Sequence, residues 1–315
     1  MRKDSRIYVA GHTGLLGSAI VKVLNRNEYN NVFTADRNFF DLTDSEKVSR
    51  LFILHKPEYV FLTAAKVGNI SENIMHPVEF LEDNLLIQQN VMRMAYHAGV
   101  KKLLFFGSNC CYPRECPQPM KEEYLMAGQL EPTNRAYAMA KLAGIEICRS
   151  FNGQYGTNFI VAIPASIYGE NDHFDLARSH VISGLIAKFY NAKMSGLKEV
   201  VLFGDGSPLR EFIYCDDAAE ASVFLMENFD ANSDEICLNA GTEIEYSIKE
   251  LAEMVKFVVE YKGDIEWDVS KPNGMPRKLL DSSRLKVMGW QAKVNILEGV
   301  RRTYQFFLSV INQKH

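Results

Sequence analysis

The sequence predicts an α/β fold: a doubly wound parallel sheet covered on both faces by helices, followed by a smaller C-terminal domain. Three observations predict it. Short apolar runs alternate with helical patterns through the first half of the chain. Those runs are apolar throughout rather than alternating, as strands buried on both faces are. A glycine-rich turn stands between the first run and the first helix.

The elements follow in order. Residues 6–10 read as the first strand and 11–17 as a turn. Residues 18–25 carry Ala19, Ile20, Val23 and Leu24 at helical spacing. A second strand covers 32–35, a helix 45–55 stops before Pro57, and a third strand covers 59–63. A long helix runs from Pro77 to Ala98 with Gly99 at its end, then a fourth strand covers 103–106. A helix over 135–155 leads to a fifth strand over 159–163. Beyond Tyr168 the rhythm loosens. Helices are expected over 181–192, 216–228, 248–259 and 296–310, strands over 200–203, 210–214 and 236–239, and a loop over 270–274. The expected division is residues 1–168 plus about 210–241 for the first domain, with about 169–209 and 242–315 for the second.

Composition narrows the class. The chain has 315 residues, 47% hydrophobic and 23% charged, which excludes a disordered protein. A net charge of −4 argues against a nucleic-acid partner, though a local anion site stays open. Six scattered cysteines form no disulfide scaffold and no Cys/His ladder, so no metal is expected and a reduced, cytoplasmic compartment is. No apolar run approaches the ~18 residues needed to span a bilayer. The start, with a short apolar core after MRKDSR, does not read as a signal peptide.

The turn Gly11-His12-Thr13-Gly14-Leu15-Leu16-Gly17 has the pattern G-x-x-G-x-x-G. Gly11 permits the tight turn, Gly14 lets the backbone approach a pyrophosphate, and Gly17 lets the helix pack close to the sheet. The helix N-terminus adds unpaired N–H groups and a positive dipole end. This context makes the sheet Rossmann-type. At the end of the second strand Asp36 favours NAD(H), because its carboxylate repels a 2′-phosphate, and Arg37 favours NADP(H). Asp41 and Leu42 either border the adenine or open the next helix, with Asp44 as its cap.

Tyr137 and Lys141 form a Y-x-x-x-K pair on one helix face. An ammonium beside a phenol is expected to depress a tyrosine pKa normally near ~10. That suits a phenol donating a proton to a carbonyl as hydride arrives. Ser108, at the end of the fourth strand, stands where ligands sit in a doubly wound sheet and can bond the same oxygen.

Glycine turn, serine and Y-x-x-x-K together resemble the extended short-chain dehydrogenase/reductases. More narrowly, G-H-T-G-L-L-G-S-A-I, A-A-K-V-G, G-S-N-C-C-Y-P, L-E-P-T-N-R-A-Y-A-M-A-K, S-H-V-I, P-L-R-E-F and K-P-N-G-M-P-R-K-L-L-D resemble the GDP-L-fucose synthase family. Its members are 3,5-epimerase/4-reductases of a GDP-linked 4-keto-6-deoxy sugar. The resemblance implies a reductase triad of Ser108, Tyr137 and Lys141, with Cys110 and His180 as the acid/base pair that inverts C3 and C5. A 4-keto group acidifies its neighbouring C–H bonds, so a thiolate and an imidazole can remove and return protons on opposite faces. Cys111 is expected only to fill space. NADP(H) would lie along Gly11, Thr13, Gly14, Leu15, Leu16, Gly17, Asp36, Arg37, Asp41, Leu42, Ala64, Ala65 and Lys141. The GDP-sugar would meet Ser166, Lys188 near the diphosphate, Arg210, Phe203 beside the guanine, and Lys278 at that same end. A homodimer is implied, built from the helices over 77–98 and 135–155.

The chain departs from the family pattern in four places. It has Asn109 where Ser is usual, Ser166 where Asn is usual, Thr13 where Arg is usual, and an acid at Asp36. The first two imply an altered sugar, such as a GDP-6-deoxy-4-keto-heptose taken by a reductase-only enzyme. The last two leave NAD(H) open beside NADP(H). A non-catalytic cofactor sensor is the reading from another class, and the intact Ser108, Tyr137 and Lys141 argue against it.

Overall fold

A computed structural model gives the fold; it describes residues 1–176, 179–232, 235–271 and 273–312, so Pro272 of the expected loop lies outside the described residues. The chain runs β1 (Ile7–Ala10), α1 (Leu15–Arg26), β2 (Val32–Phe33), α2 (Ser45–His55), β3 (Tyr59–Leu62), α3 (Ile70–Met75), α4 (Pro77–His97) and β4 (Lys102–Phe106). Next come α5 (Arg135–Tyr155), β5 (Phe159–Pro164), β6 (Ser166–Tyr168), α6 (Val181–Met194), β7 (Glu199–Phe203), β8 (Leu209–Tyr214) and α7 (Cys215–Asn228). The last are β9 (Cys237–Ala240), β10 (Glu245–Ser247), α8 (Ile248–Val259), β11 (Asp264–Asp268), β12 (Arg277–Lys278), α9 (Ser283–Val287) and α10 (Ile296–Asn312).

Local chemistry sets several boundaries. The Asp44 carboxylate accepts from the amides of Glu46 and Lys47 and starts α2. Ser247 and Glu250 bond each other's backbone and open α8 with a capping box. Gly156 ends α5 at φ 64°, where a side chain is disfavoured. α1 begins at Leu15, earlier than the expected Ser18, because the second half of the glycine turn is itself the first helical turn.

Six parallel strands form the central sheet in the order β2-β1-β3-β4-β5-β9. The order reverses beside β1, which leaves a crevice at the strand C-terminal ends. β1, β4 and β5 are buried almost end to end, as a sheet covered on both faces requires. α1 packs against α7, and α4 against α5.

A second sheet is centred on β8, whose two halves have different neighbours. Residues 209–211 pair with β10 and, over 209–210, with β12, setting Lys278 beside Arg210. Residues 212–214 pair with β6. The strand expected at 210–214 therefore exists but lies outside the central sheet, whereas β9 closes that sheet's edge. β7 and β11 form a separate parallel pair. Among the described residues no helix is long and apolar enough to cross a membrane.

Asn239, on β9, ties the two regions together. Its side chain accepts from the Tyr112 hydroxyl at 2.6 Å and donates to the carbonyls of Met120 at 2.9 Å and Asp281 at 3.1 Å. Its own amide donates to Glu122 at 2.9 Å. Asn239→Ala takes the acceptor from the buried Tyr112 hydroxyl and a donor from the Asp281 and Met120 carbonyls, of which Met120 keeps the Asp281 amide. The expected cost is about 2–4 kcal/mol, read as a lower urea midpoint at unchanged slope; an unchanged midpoint would show the node to be dispensable.

Candidate active site

The glycine turn is built from close backbone contacts. A Cβ on Gly17 would meet the Gly11 carbonyl oxygen at 2.1 Å, and one on Gly11 would meet the Ala64 nitrogen at 2.7 Å. Gly14 is different: the nearest atom to its Cβ is 3.5 Å away, and it caps α1 with no side chain. Thr13 and Gly14 are exposed, so the first amides of α1 face open space. That is the shape a pyrophosphate requires, and the turn fits one. Leu15 and Leu16 are half-buried behind it. Ala64 donates its amide to the Ala10 carbonyl at 2.9 Å, and half-buried Ala65 follows it.

At the end of β2 the two charges differ. Asp36 turns one carboxylate oxygen onto the Asn38 amide at 2.8 Å and closes its own loop. Arg37 is 82% exposed, with its guanidinium 3.7 Å from Asp41. Asp41 also accepts from the amide and hydroxyl of Thr43. Leu42 is buried in the core, and Asp44, not Asp41, caps the helix.

After β4 the chain makes one turn of 3-10 helix over Asn109–Cys111. The Ser108 hydroxyl accepts from the Cys110 amide at 3.2 Å and lies near enough to the Tyr137 phenol to favour its ionisation. Lys141 is buried and donates to the Phe106 carbonyl at 2.9 Å. Its ammonium lies 5.9 Å from the centre of the Tyr137 ring. Burial lowers Lys141 to about 8. Burial raises the Tyr137 phenol, with the Cys110 and Cys111 thiols adding to the rise and Ser108 opposing it. The expected depression of Tyr137 by Lys141 is thus corrected: desolvation outweighs the ammonium, which sits against Phe106 instead.

Cys110 is half-buried, and its sulfur is surrounded by donors. Asn134 Nδ2 donates to it at 3.0 Å and Lys278 Nζ at 3.4 Å. Lys278, expected at the nucleotide end, stands beside the thiol, delivered there by β12. Asn134 was not singled out in the sequence. It precedes α5 yet does not cap it, because its side chain is turned to the sulfur. Cys111 is fully buried, and burial pushes its thiol up to about 12.

His180 precedes α6 and likewise leaves it uncapped. Its Nδ1 lies 3.1 Å from the Asp172 carboxylate. The hydrogen bond with Asp172 raises His180 above the ordinary imidazole range, against burial. Asp172 is buried, and its second oxygen has no hydrogen-bond partner among the described residues. No motif pointed to Asp172.

Arg210 is held by the Leu209 carbonyl at 2.8 Å, and the Cys110 and Glu131 charges act on it. Lys188 and Phe203 form a cluster of their own, with the Lys188 ammonium 5.0 Å from the ring centre and Lys271 at 5.9 Å. Phe203 is 65% exposed, so it is not a core residue. Asn109 Nδ2 donates to Ser166 Oγ at 3.5 Å. The two departures from the family pattern therefore touch, and the pair still holds one amide and one hydroxyl.

Residues 7–241 match a family model described as the NAD dependent epimerase/dehydratase family. The chain is 46% identical over 306 residues to GDP-L-fucose synthase 1 of Arabidopsis thaliana, covering 97% of this chain and 94% of that one. Among solved structures, a GDP-6-OMe-4-keto-L-xylo-heptose reductase from Campylobacter jejuni superposes with a TM-score of 0.94 at 35% identity, over 98% of this chain and 99% of that one. A GDP-mannoheptose C4 reductase from the same organism, with NADP bound, gives 0.89 at 36% identity and the same coverage. The chain belongs to the NAD dependent epimerase/dehydratase family, and within it to the GDP-L-fucose synthase group of extended short-chain dehydrogenase/reductases.

Proposed function

We propose that the protein reduces the 4-keto group of a GDP-linked 4-keto-6-deoxy sugar with NADPH and inverts C3 and C5 of the same sugar. The observation that supports this reading is the place of Ser108: its hydroxyl accepts from the amide of the turn that holds the thiol and lies beside the phenol, so that one substrate oxygen placed there would serve both reduction and inversion. Bound NADPH would supply hydride to the ketone carbon. The glycine turn would hold its pyrophosphate, with Ala64 and Ala65 alongside, and exposed Arg37 its 2′-phosphate. Lys141 would bind the cofactor beside Tyr137.

Tyr137, neutral because it is buried, donates its proton to the ketone oxygen, and Ser108 polarises that oxygen. The Cys110 thiolate takes the proton beside the ketone, and the released electron pair moves onto the ketone oxygen. The His180 imidazolium returns a proton on the opposite face. Arg210 and Lys188 meet the substrate's phosphates, Phe203 its guanine, and Ser166 its sugar. The neighbouring heptose reductases support a second reading, reduction of a GDP-6-deoxy-4-keto-heptose without inversion.

Three further parts belong to the proposal. The chain works as a cofactor domain of residues 1–168 plus about 210–241, with the rest as substrate domain. It acts in the cytoplasm, a reading supported by its free cysteines. It assembles as a homodimer through α4 and α5, where Val78, Leu86 and Met139 stand exposed; light scattering is expected to give twice 35.8 kDa, and a monomer would refute it.

Tyr137→Phe is expected to lower kcat for NADPH oxidation with GDP-4-keto-6-deoxymannose by about 10²–10⁴-fold. Unchanged turnover would overturn the role of Tyr137. For inversion, the Asp172 bond keeps His180 protonated to a higher pH than a free imidazole. Above that pH the imidazolium is lost and inversion slows. Asp172→Asn removes the support, so the alkaline fall in deuterium uptake at C3 and C5 moves to lower pH. An unmoved limb would sink the pairing, and no uptake by the wild type at any pH selects the reductase-only reading.

A further inference from the structure

The segment carrying Lys278 is pinned from several directions. β12 pairs with β8. The Leu279 amide donates to Gln118 at 2.9 Å, and the Met120 amide donates to the Leu279 carbonyl at 2.7 Å. The Leu280 amide donates to the buried Glu211 carboxylate at 2.8 Å. The Asp281 amide donates to the Met120 carbonyl at 2.8 Å. The backbone from which the Lys278 side chain extends is thus held in place.

That ammonium is half-buried, and no carboxylate among the described residues makes an ion pair with it. A cation withdrawn from water needs a counter-charge. The polar atom in reach is the Cys110 sulfur at 3.4 Å. Facing the sulfur from the other elements are Arg210 of β8, the Asn134 amide, the Tyr137 phenol of α5 and the Cys111 thiol next door. Both cations turn positive charge toward the sulfur and Asn134 donates to it, while Asn109 Oδ1 lies 3.7 Å away as an acceptor on the same turn; the two other titratable neighbours are neutral because they are buried. Glu131, the nearest acid acting on Arg210, makes its hydrogen bonds to Thr133.

We infer that Lys278 is a positioning residue that holds Cys110 as the thiolate before the sugar binds, so that the sulfur is a base at neutral pH. The inference rests on the proposed role of Cys110 in inversion and moves Lys278 from the nucleotide end to the sulfur. The sulfur anion takes the proton from the carbon beside the ketone and becomes a thiol. The C–H electron pair passes to the ketone oxygen as an enolate, and Lys278 does not itself exchange a proton.

Iodoacetamide reads the thiolate directly, without substrate. Lys278→Met is expected to slow alkylation of Cys110 at neutral pH by about tenfold or more, because an opposite charge within this reach moves a titration by about one to three pH units. The pH profile of alkylation moves to the alkaline side. Lys278→Arg keeps the cation and restores the wild-type rate within about twofold, which separates charge from folding. Cys110→Ser identifies the labelled peptide by its loss. Equal rates for wild type and Lys278→Met from neutral to alkaline pH, with the label on Cys110, would overturn the inference. Deuterium uptake at C3 and C5 is read in parallel. If the wild type takes up none, the inversion reading fails, while the alkylation contrast still decides the role of Lys278.

Discussion

Asn239 lies fully buried on β9, and its side chain joins three stretches of chain, two of which also meet in a bridge between Met120 and Leu280. Tyr112 follows the turn that carries Cys110. Met120 belongs to the long connection between β4 and α5. Asp281 follows the strand that carries Lys278. An amide side chain suits this place because it accepts from the Tyr112 hydroxyl and donates to the two carbonyls at once. In a dry interior such a network is worth having only when every member is satisfied. The spacing between the thiol and the lysine depends on it, since each is a few residues from a group that Asn239 holds.

Glu211 performs the matching task in the second sheet. One carboxylate oxygen accepts from the amides of Thr242 and Glu243, and the other from Leu280. Burial pushes this carboxyl up to about 6, against the pull of those amides. A Cβ on Gly241 would meet Glu211 at 2.2 Å, so the loop can close on the carboxylate only with glycine there. Glu211 follows Arg210 on β8, and the loop it gathers ends at β10, the antiparallel neighbour of Arg210. Two buried polar residues, neither of them in contact with the thiol, thus set the cations that face it.

The legibility of the chain follows the range of the forces involved. The bounds of α2, α5 and α8 agree with the spacing read from sequence, because caps and apolar periods are local. β6, β10, β11, β12, α3 and α9 have two to six residues each and escaped notice. They carry too few positions to display a period, and pairing with distant strands makes them. The site divides the same way. Ser108, Cys110, Tyr137 and Lys141 stand in contiguous strings and were visible there. Asp172 and Asn134 act through side chains that reach across the fold. Lys278 was visible as a residue, but its neighbourhood with the Cys110 sulfur was not, because its place depends on the parallel register with Arg210.

Burial also settles which proton sits where. A lysine four residues after a tyrosine suggests a phenolate, yet the buried phenol is held neutral and the ammonium is drawn to the Phe106 carbonyl. Neutral is the form that can give a proton to a ketone oxygen, so desolvation prepares Tyr137 for the reductive direction. A few ångströms along the same turn the surroundings differ. Cys110 is only half-buried and faces Lys278, Arg210 and the Asn134 amide, groups that favour an anion. Ser108 touches both sides of this divide. A single oxygen of a bound ketone placed at Ser108 would therefore meet a proton donor for reduction while its neighbouring C–H bonds meet a base, and one turn of backbone would serve two reactions that need opposite charge states.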